Sequence, residues 1–298
     1  MIADDVLAGF MRVDPKRGEV FKQQLASAIV VKIQNVANYF WEGTDQEAWD
    51  LRSDFPNVAP PWPRFWMEWK LPTGLVTKTG GYQRLSEEVP RWGVGVFGAA
   101  AELENRSLAR WQLDLYCFSG SPERQDPFMA AIQLLIDADG HVVMGGTEEN
   151  PQAAVYAIPK ADIESYGQAS AELVTSASFR TPALLALCFC HCNNVTIIET
   201  PVSSKLLKKR DARDRAPVTK YYTLEIAPMQ KTLREAAGAD GSLKHALHIC
   251  RGHFKDYREG SGLFDKFRGM YWWDMHTRGS SKLGEIRKDY DVKPPCSA

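Results

Sequence analysis

The sequence predicts an α+β protein, with an N-terminal domain of helix and antiparallel sheet followed by a small basic α+β domain. Three observations support this class. Apolar residues near the N-terminus recur at helical spacing, later segments alternate with the period of a strand, and glycine-marked turns separate short strands in the last third of the chain. At 298 residues, the chain is long enough for one large or two modest hydrophobic cores.

The N-terminal domain is predicted over residues 1–200. Residues 15–40 show the three- and four-residue spacing of an amphipathic helix, and the prolines between residues 53 and 72 require an extended chain. Alternation then predicts strands at 91–96, 110–118 and 131–144, the last folded at a turn over residues 137–140, and helical spacing returns between residues 161 and 193.

The C-terminal domain is predicted over residues 221–298, after a basic linker at 201–220. Residues 205–220 contain seven basic and two acidic residues, a composition typical of a solvated connector. Beyond this linker, the patterns predict strands at 221–226, 245–257, 268–278 and 286–292, and a short helix at 230–237.

Charge is unevenly divided along the chain. Residues 201–298 contain 20 Lys and Arg against 12 Asp and Glu, so their net charge is +8; residues 1–200 contain 16 against 25, so theirs is −9. A basic C-terminal part predicts a polyanionic partner such as RNA. The candidate nucleic-acid-binding residues are Lys205, Lys208, Lys209, Arg210, Arg213, Arg215, Lys255 and Trp272.

Several classes of protein are disfavoured. No apolar run approaches the roughly 20 residues that span a bilayer, and no signal peptide precedes the first residues, so we expect a cytoplasmic protein without membrane partners. The chain has no phosphate-binding Gly-x-x-x-x-Gly-Lys loop and no His-Glu-x-x-His motif, and the histidines and cysteine between residues 245 and 253 have poor spacing for zinc. We therefore expect no metal and no other cofactor.

Two predicted strands carry residues suited to metal-free RNA cleavage. If 245–257 and 268–278 pair with their apolar faces together, Arg251 and His253 share a face with His276 and Arg278. Histidine can act as acid or base near neutral pH, and arginine binds phosphate bidentately, so these four are the candidate catalytic residues. The alternatives are phosphate binding without chemistry and a solvated face without function.

Large aromatic residues lie among the prolines of the N-terminal domain. Trp62, Phe65, Trp66 and Trp69 are candidates to line a peptide-binding groove; packing in the core is the alternative, and it is the more common fate of such residues.

One motif carries a family resemblance. The run His248-Ile-Cys-Arg251-Gly252-His253-Phe254, with Tyr257 and a glycine-containing turn at Gly262 after it, resembles a family found on phages and mobile genetic elements. One member of that family is an anti-CRISPR protein directed against a type V effector nuclease. Residues 90–96, 134–142 and 184–188 are similar to the family in order and position.

The resemblance implies a counter-defence or regulatory protein that recognises a target polypeptide during its synthesis and promotes loss of the mRNA. The acidic domain would hold the peptide, and the basic domain would meet RNA or the ribosome. Only Arg251, Gly252 and His253 are carried over from the family. A non-catalytic inhibitor that sequesters a protein and a stand-alone metal-independent ribonuclease remain alternatives, and whether the chain is an enzyme stays open.

Overall fold

The chain is an α+β protein, as the sequence predicts. Its computed structural model describes residues 1–42, 54–70, 75–78, 81–84, 93–104, 109–120, 127–143, 155–157, 177–213, 215–227, 246–250, 252–263, 265–273, 276–278, 280–287 and 291–293. The chain divides into two compact units: the first comprises Met1–Cys190 and Ile197–Leu224, and the second comprises His191–Thr196 and Glu225–Ala298. The segment predicted as a linker, 201–220, therefore belongs to the first unit.

The helices of the first unit are α1 (Ile2–Val13), α2 (Pro15–Ala26), α3 (Gln34–Glu42), α4 (Ala177–Cys190) and α5 (Ser204–Asp211). The strands through residue 226 are β1 (Ile29–Lys32), β2 (Arg64–Lys70), β3 (Leu75–Lys78), β4 (Gly81–Arg84), β5 (Gly93–Glu102), β6 (Trp111–Ser119), β7 (Phe128–Ile136), β8 (Val155–Ala157), β9 (Val195–Pro201) and β10 (Lys220–Ile226). The predicted strands at 91–96, 110–118 and 131–144 correspond to β5, β6 and β7.

Eight of these strands form one mixed sheet in the order β8-β7-β6-β5-β2-β1-β10-β9, while β3 and β4 form a separate hairpin. Strands β2, β5, β6, β7 and β8 pair antiparallel with one another. Strand β1 instead lies parallel to both of its neighbours, β2 and β10. The predicted antiparallel sheet is therefore antiparallel from β2 to β8, whereas β1 adds parallel pairs with β2 and β10.

The helix predicted over residues 15–40 is interrupted by β1. The Asp14 side chain accepts hydrogen bonds from the backbone N–H groups of Lys16 and Arg17, and Pro15 occupies the first turn, so α2 begins there. It ends at Ala26, and the β-branched run Ile29-Val30-Val31 forms a strand. The apolar residues of this run also fit a helical spacing, but Val30 and Val31 are buried as strand residues.

Both faces of β2 are covered, which explains its continuous run of large side chains. Trp66 packs with helices α1 and α2 in a cluster that includes Phe10, Phe21 and Phe118. Phe65, on the opposite face, is also fully buried. A strand buried on both sides is apolar at every position rather than alternating.

Glu68 is a buried exception in this strand. Its Oε2 atom accepts hydrogen bonds from the Trp66 indole N–H at 3.0 Å and from the backbone N–H of Ala3 at 3.2 Å. Ala3 lies in the first turn of α1, where backbone N–H groups lack helical partners and favour a negative charge. The carboxylate therefore fixes the start of α1 against the sheet.

Glycines on β5 leave room for the aromatic residues of β2. A Cβ atom on Gly95 would lie 2.1 Å from the Trp66 ring, and one on Gly98 would lie 2.1 Å from the Phe65 ring. The glycine-rich sequence of β5 thus serves packing, because any larger residue would collide with a buried ring.

The strands of the second unit are β11 (Ala246–Cys250), β12 (His253–Asp256), β13 (Met270–Trp273), β14 (His276–Arg278), β15 (Ser280–Arg287) and β16 (Asp291–Lys293). Strands β14, β11, β15 and β16 form a four-stranded sheet in that order, and β12 pairs with β13 alone. Each of the two long predicted strands, 245–257 and 268–278, is therefore divided into two. The helix predicted at 230–237 lies outside the described residues.

None of the helices in the described part of the chain has the length and apolar character needed to cross a bilayer.

Candidate nucleic-acid interface

The ribbon formed by β12 and β13 carries the most chemically distinctive surface of the second unit. The two strands run antiparallel, with His253 opposite Trp273 and Lys255 opposite Tyr271. Directly opposite residues of an antiparallel pair point to the same side. His253, Lys255, Tyr271 and Trp273 therefore share one face, which we call the His253 face.

The other face of the ribbon is a packing surface. Trp272 is only 3% exposed, and its ring centroid lies 4.7 Å from that of Phe254. A Cβ atom on Gly252 would lie 2.5 Å from the Trp272 ring, so the glycine of the Arg-Gly-His motif makes room for this indole. The prediction that Trp272 stacks on an RNA base is contradicted, because its ring is enclosed by the protein.

The His253 face combines cations with aromatic rings. His253 is exposed, and the Lys255 ammonium lies 5.1 Å from the centre of the Trp273 ring. Burial raises the pKa of Tyr257, while a hydrogen bond with Trp273 opposes the rise. The Tyr257 ring also lies 6.2 Å from that of Tyr271. Tyr271 is buried, whereas Trp273 and Tyr257 are half-buried. Basic groups beside half-buried rings can bind phosphate and unstacked bases.

Two asparagines that the sequence did not single out hold β13 in place. Trp272 donates its backbone N–H to Asn194 Oδ1 at 3.0 Å, and Asn194 Nδ2 donates to the Trp272 carbonyl at 2.9 Å. Asn193 Nδ2 donates to the Arg268 carbonyl at 2.7 Å and to the Tyr271 hydroxyl at 3.2 Å. The segment His191–Thr196 belongs to the second unit for this reason.

The predicted catalytic residues fall in two separate sheets or outside the described residues. His276 is the strand partner of Cys250, and Arg278 that of His248. The pairing keeps the same alignment in β12 and β13, where His253 lies opposite Trp273. These pairs belong to two separate sheets, and residues 251, 274 and 275 between them lie outside the described residues, so the face of His253 does not fix that of His276. The side chains of His276 and Arg278 are not described, and Arg251 lies outside the described residues.

In the first unit, helix α5 presents most of the other predicted RNA-binding residues. Lys205, Lys208, Lys209 and Arg213 are exposed, and Arg215 is half-buried. The cations of the last turn also interact favourably with the negative end of the helix dipole, so part of their role is structural.

Arg210 is a correction to the predicted RNA-binding set. Its side chain is buried, and its guanidinium donates to both carboxylate oxygens of Asp4, at 2.8 and 3.0 Å, and to the Ala216 carbonyl at 2.8 Å. No local pattern in the sequence indicates this pairing, because the two residues are 206 positions apart. Arg210 connects α5 to α1 and has no surface for a ligand.

The predicted peptide groove is contradicted in the same way. Phe65, Trp66 and Trp69 are at most 1% exposed, so they form core, the alternative given for them above. Trp62 alone of the four reaches the surface, where its ring lies 6.4 Å from that of Tyr222. Of the four predicted residues, Trp62 is therefore the one that a peptide can reach.

Two further groups of residues in the first unit carry reactive or ligating side chains. Atoms of Asp137, Asp139 and His141 lie within 4.8 Å of one another in the turn after β7, yet Asp137 Oδ1 accepts the backbone N–H groups of the other two. This pattern is that of an Asx turn. Burial raises the pKa of Cys190 to about 12 and that of Cys188 still further, which disfavours the thiolate form of both.

Comparisons of the chain with protein-family models, with curated proteins and with solved structures found no match. Function is therefore inferred from the site itself.

Proposed function

We propose that this chain is a mobile-element counter-defence or regulatory protein that binds RNA through the His253 face and promotes loss of a target message without cutting it. The observation that carries this proposal is the grouping of exposed His253 with Lys255 and Trp273 on one face of the ribbon. Bases stack on aromatic rings, and lysine binds phosphate as a point charge.

Binding is favoured over cleavage because the described residues of the His253 face include one imidazole. Metal-free cleavage needs one group to deprotonate the 2′-hydroxyl and a second to protonate the leaving oxygen. His253 has Trp273 opposite it, and His276 has Cys250. Among its described residues, the His253 face thus supplies one proton-transfer group, which supports a protein that retains RNA and leaves degradation to another factor.

The cleavage question has a direct test. Purified full-length protein and its His253→Ala variant are incubated with end-labelled single-stranded RNA in EDTA. We expect intact RNA in both samples. Cleavage by the unmodified protein that disappears in His253→Ala would replace this proposal with the ribonuclease alternative.

The effect on messages is tested by translating a panel of tagged candidate mRNAs with and without the protein and counting each mRNA. We expect a subset of messages to fall in number, and the fall to be reversed by Lys255→Gln. Lys266→Gln is the matched control, because Lys266 is an exposed lysine of the same unit outside the ribbon strands. Unchanged counts for every message would leave the sequestering inhibitor as the better proposal.

The peptide arm of the proposal rests on the acidic charge of residues 1–200. Glu19 and Glu104 are exposed there. Reversing both to lysine is expected to reduce co-purification of the target polypeptide while leaving RNA retention intact. Loss of both activities together in a folded variant would contradict a division of tasks between the two parts.

A further inference from the structure

Strand β9 is an edge strand with exposed apolar residues. Among the strands that the structure describes, it has β10 on one side and none on the other. Ile197 and Ile198 are 37% and 38% exposed, and successive residues of a strand point to opposite faces. Apolar surface is thus open on both sides of an unpaired edge.

The outer edge of β9 offers a regular set of backbone groups. At one end of the strand, Val202 donates its N–H to the Thr219 carbonyl; at the other, the Asn194 carbonyl accepts from Ala227. The two residues whose backbone groups bond toward the β10 side, Asn194 and Val202, are both even-numbered. Because backbone groups alternate between the two sides of a strand, Ile197 and Glu199 turn theirs outward, whereas the Val195 N–H donates to the Cys192 carbonyl.

The devices that usually protect an edge are scarce on β9. Such edges commonly carry lysine, a bulge or an inward-pointing charge. Within β9 the charged residue is Glu199, which is engaged by the Lys220 ammonium at 2.8 Å and the Tyr222 hydroxyl at 2.6 Å. Its charge is thereby balanced on its own sheet. The strand also has Pro201 at its end, where a missing N–H limits pairing to the preceding residues.

We propose that β9 is the contact edge of a symmetric dimer, in which a second copy of this chain adds its own β9 antiparallel to the first. Ile198 is the midpoint of Val195–Pro201, so a two-fold axis there pairs residues 196–200 of one copy with the same residues of the other. The pairing places Ile198 opposite Ile198 and Thr196 opposite Thr200, both favourable cross-strand pairs, and sets no two like charges against each other.

The choice of a second copy follows from this self-complementarity. A two-fold interface must match a surface with itself, and β9 does so in side chains, charge and outward backbone groups. A seven-residue strand buries less than the roughly 1,200 Å² typical of stable interfaces, so the dimer is weak and forms as concentration rises.

The dimer is tested by analytical ultracentrifugation of the full-length protein from low to high micromolar concentration. We expect a concentration-dependent shift from monomer to dimer that Ile198→Lys abolishes, because two lysines would then face each other across the axis. Val20→Lys is the matched control. Like Ile198, Val20 is an exposed β-branched apolar residue, 55% exposed on α2, and this variant should dimerise like the original chain. A monomer at every concentration, or undiminished dimerisation of Ile198→Lys, would overturn the proposal.

Cross-linking gives a second readout, because a disulfide can trap a weak dimer covalently. The Ile198→Cys variant should form a disulfide-linked dimer under mild oxidation, because position 198 meets itself in a pair without backbone hydrogen bonds, where side chains are closest. Val20→Cys shows the background from random collisions and the chain's own thiols. Cross-linking of Ile198→Cys no greater than that of Val20→Cys would contradict the proposed register and interface.

Discussion

Replacing Arg210 by methionine removes the guanidinium that binds Asp4 inside the first unit. Three hydrogen bonds are lost: two to the Asp4 carboxylate and one to the Ala216 carbonyl. Methionine keeps much of the aliphatic volume, so the experiment reports the charge and its bonds rather than a cavity. The carboxylate that remains is in a side chain only 8% exposed.

The expected cost follows from what Asp4 retains. Removing one partner of a buried ion pair costs about 3–5 kcal/mol, because the other charge is left without compensation. Asp4 still accepts the backbone N–H of Ala216 at 3.1 Å and the ammonium of Met1 at 3.2 Å. These contacts favour the lower end, about 3 kcal/mol of unfolding free energy.

The assay is urea denaturation followed by circular dichroism, with hydrogen exchange to localise the loss to α1 and α5. For a denaturant slope of about 3 kcal/mol per molar, the expected cost lowers the midpoint by about 1 M. Lys208→Met on the same helix is the control, and a change within about 0.5 kcal/mol is expected because Lys208 is exposed.

A double variant separates the pair from its surroundings. Asp4→Leu combined with Arg210→Met removes both charges, and most of the stability should return, since an apolar pair often replaces a buried ion pair at little cost. The reasoning is refuted if Arg210→Met unfolds at the original urea concentration, or if it weakens RNA binding in a fully stable protein, as the sequence-based role of Arg210 requires.

Two further predictions concern packing and pH. Gly252→Ala places a methyl group 2.5 Å from the Trp272 ring and should cost about 1–3 kcal/mol in the second unit, measured by thermal unfolding; an unchanged melting temperature would contradict the packing role of the glycine. Burial raises the pKa of Asp5, so folding favours its protonated form and its contribution to stability is lost as pH rises through the raised pKa. Asp5→Asn should therefore be more stable than the original chain at pH 7 in urea denaturation, with the difference shrinking in acid; a larger advantage in acid would show that the sign is wrong.

Much of the fold was readable from local pattern. Alternation identified β5, β6 and β7, and the apolar residues of the C-terminal strands indicated that they pair. The break at β1 was missed because Ile29, Val30 and Val31 continued a helical spacing while their β-branched side chains favoured a strand. Propensity and periodicity conflicted there, and tertiary pairing with β2 and β10 decided the outcome.

The site was less predictable because it depends on register. Alternation along one strand places His253 and Lys255 on the same side, but only the pairing of β12 with β13 shows that Trp273 rather than Trp272 joins them. A shift of one residue in register exchanges the two faces of a strand, and sequence alternation alone does not fix it. The RNA-binding role predicted for Arg210 is wrong for a related reason: Asp4, the acid that neutralises it, lies 206 positions away in the chain.

The most direct test of the account is the affinity of the full-length protein for a short fluorescent single-stranded RNA, measured by anisotropy at several salt concentrations. Lys255→Gln should weaken binding and reduce the salt slope by about one, as expected for one lost phosphate contact, while Lys266→Gln should bind like the original chain. Trp273→Leu should cost about 1–3 kcal/mol of binding energy in a protein that remains folded. Equal affinities and equal salt slopes for all four proteins would contradict the claim that the His253 face binds RNA.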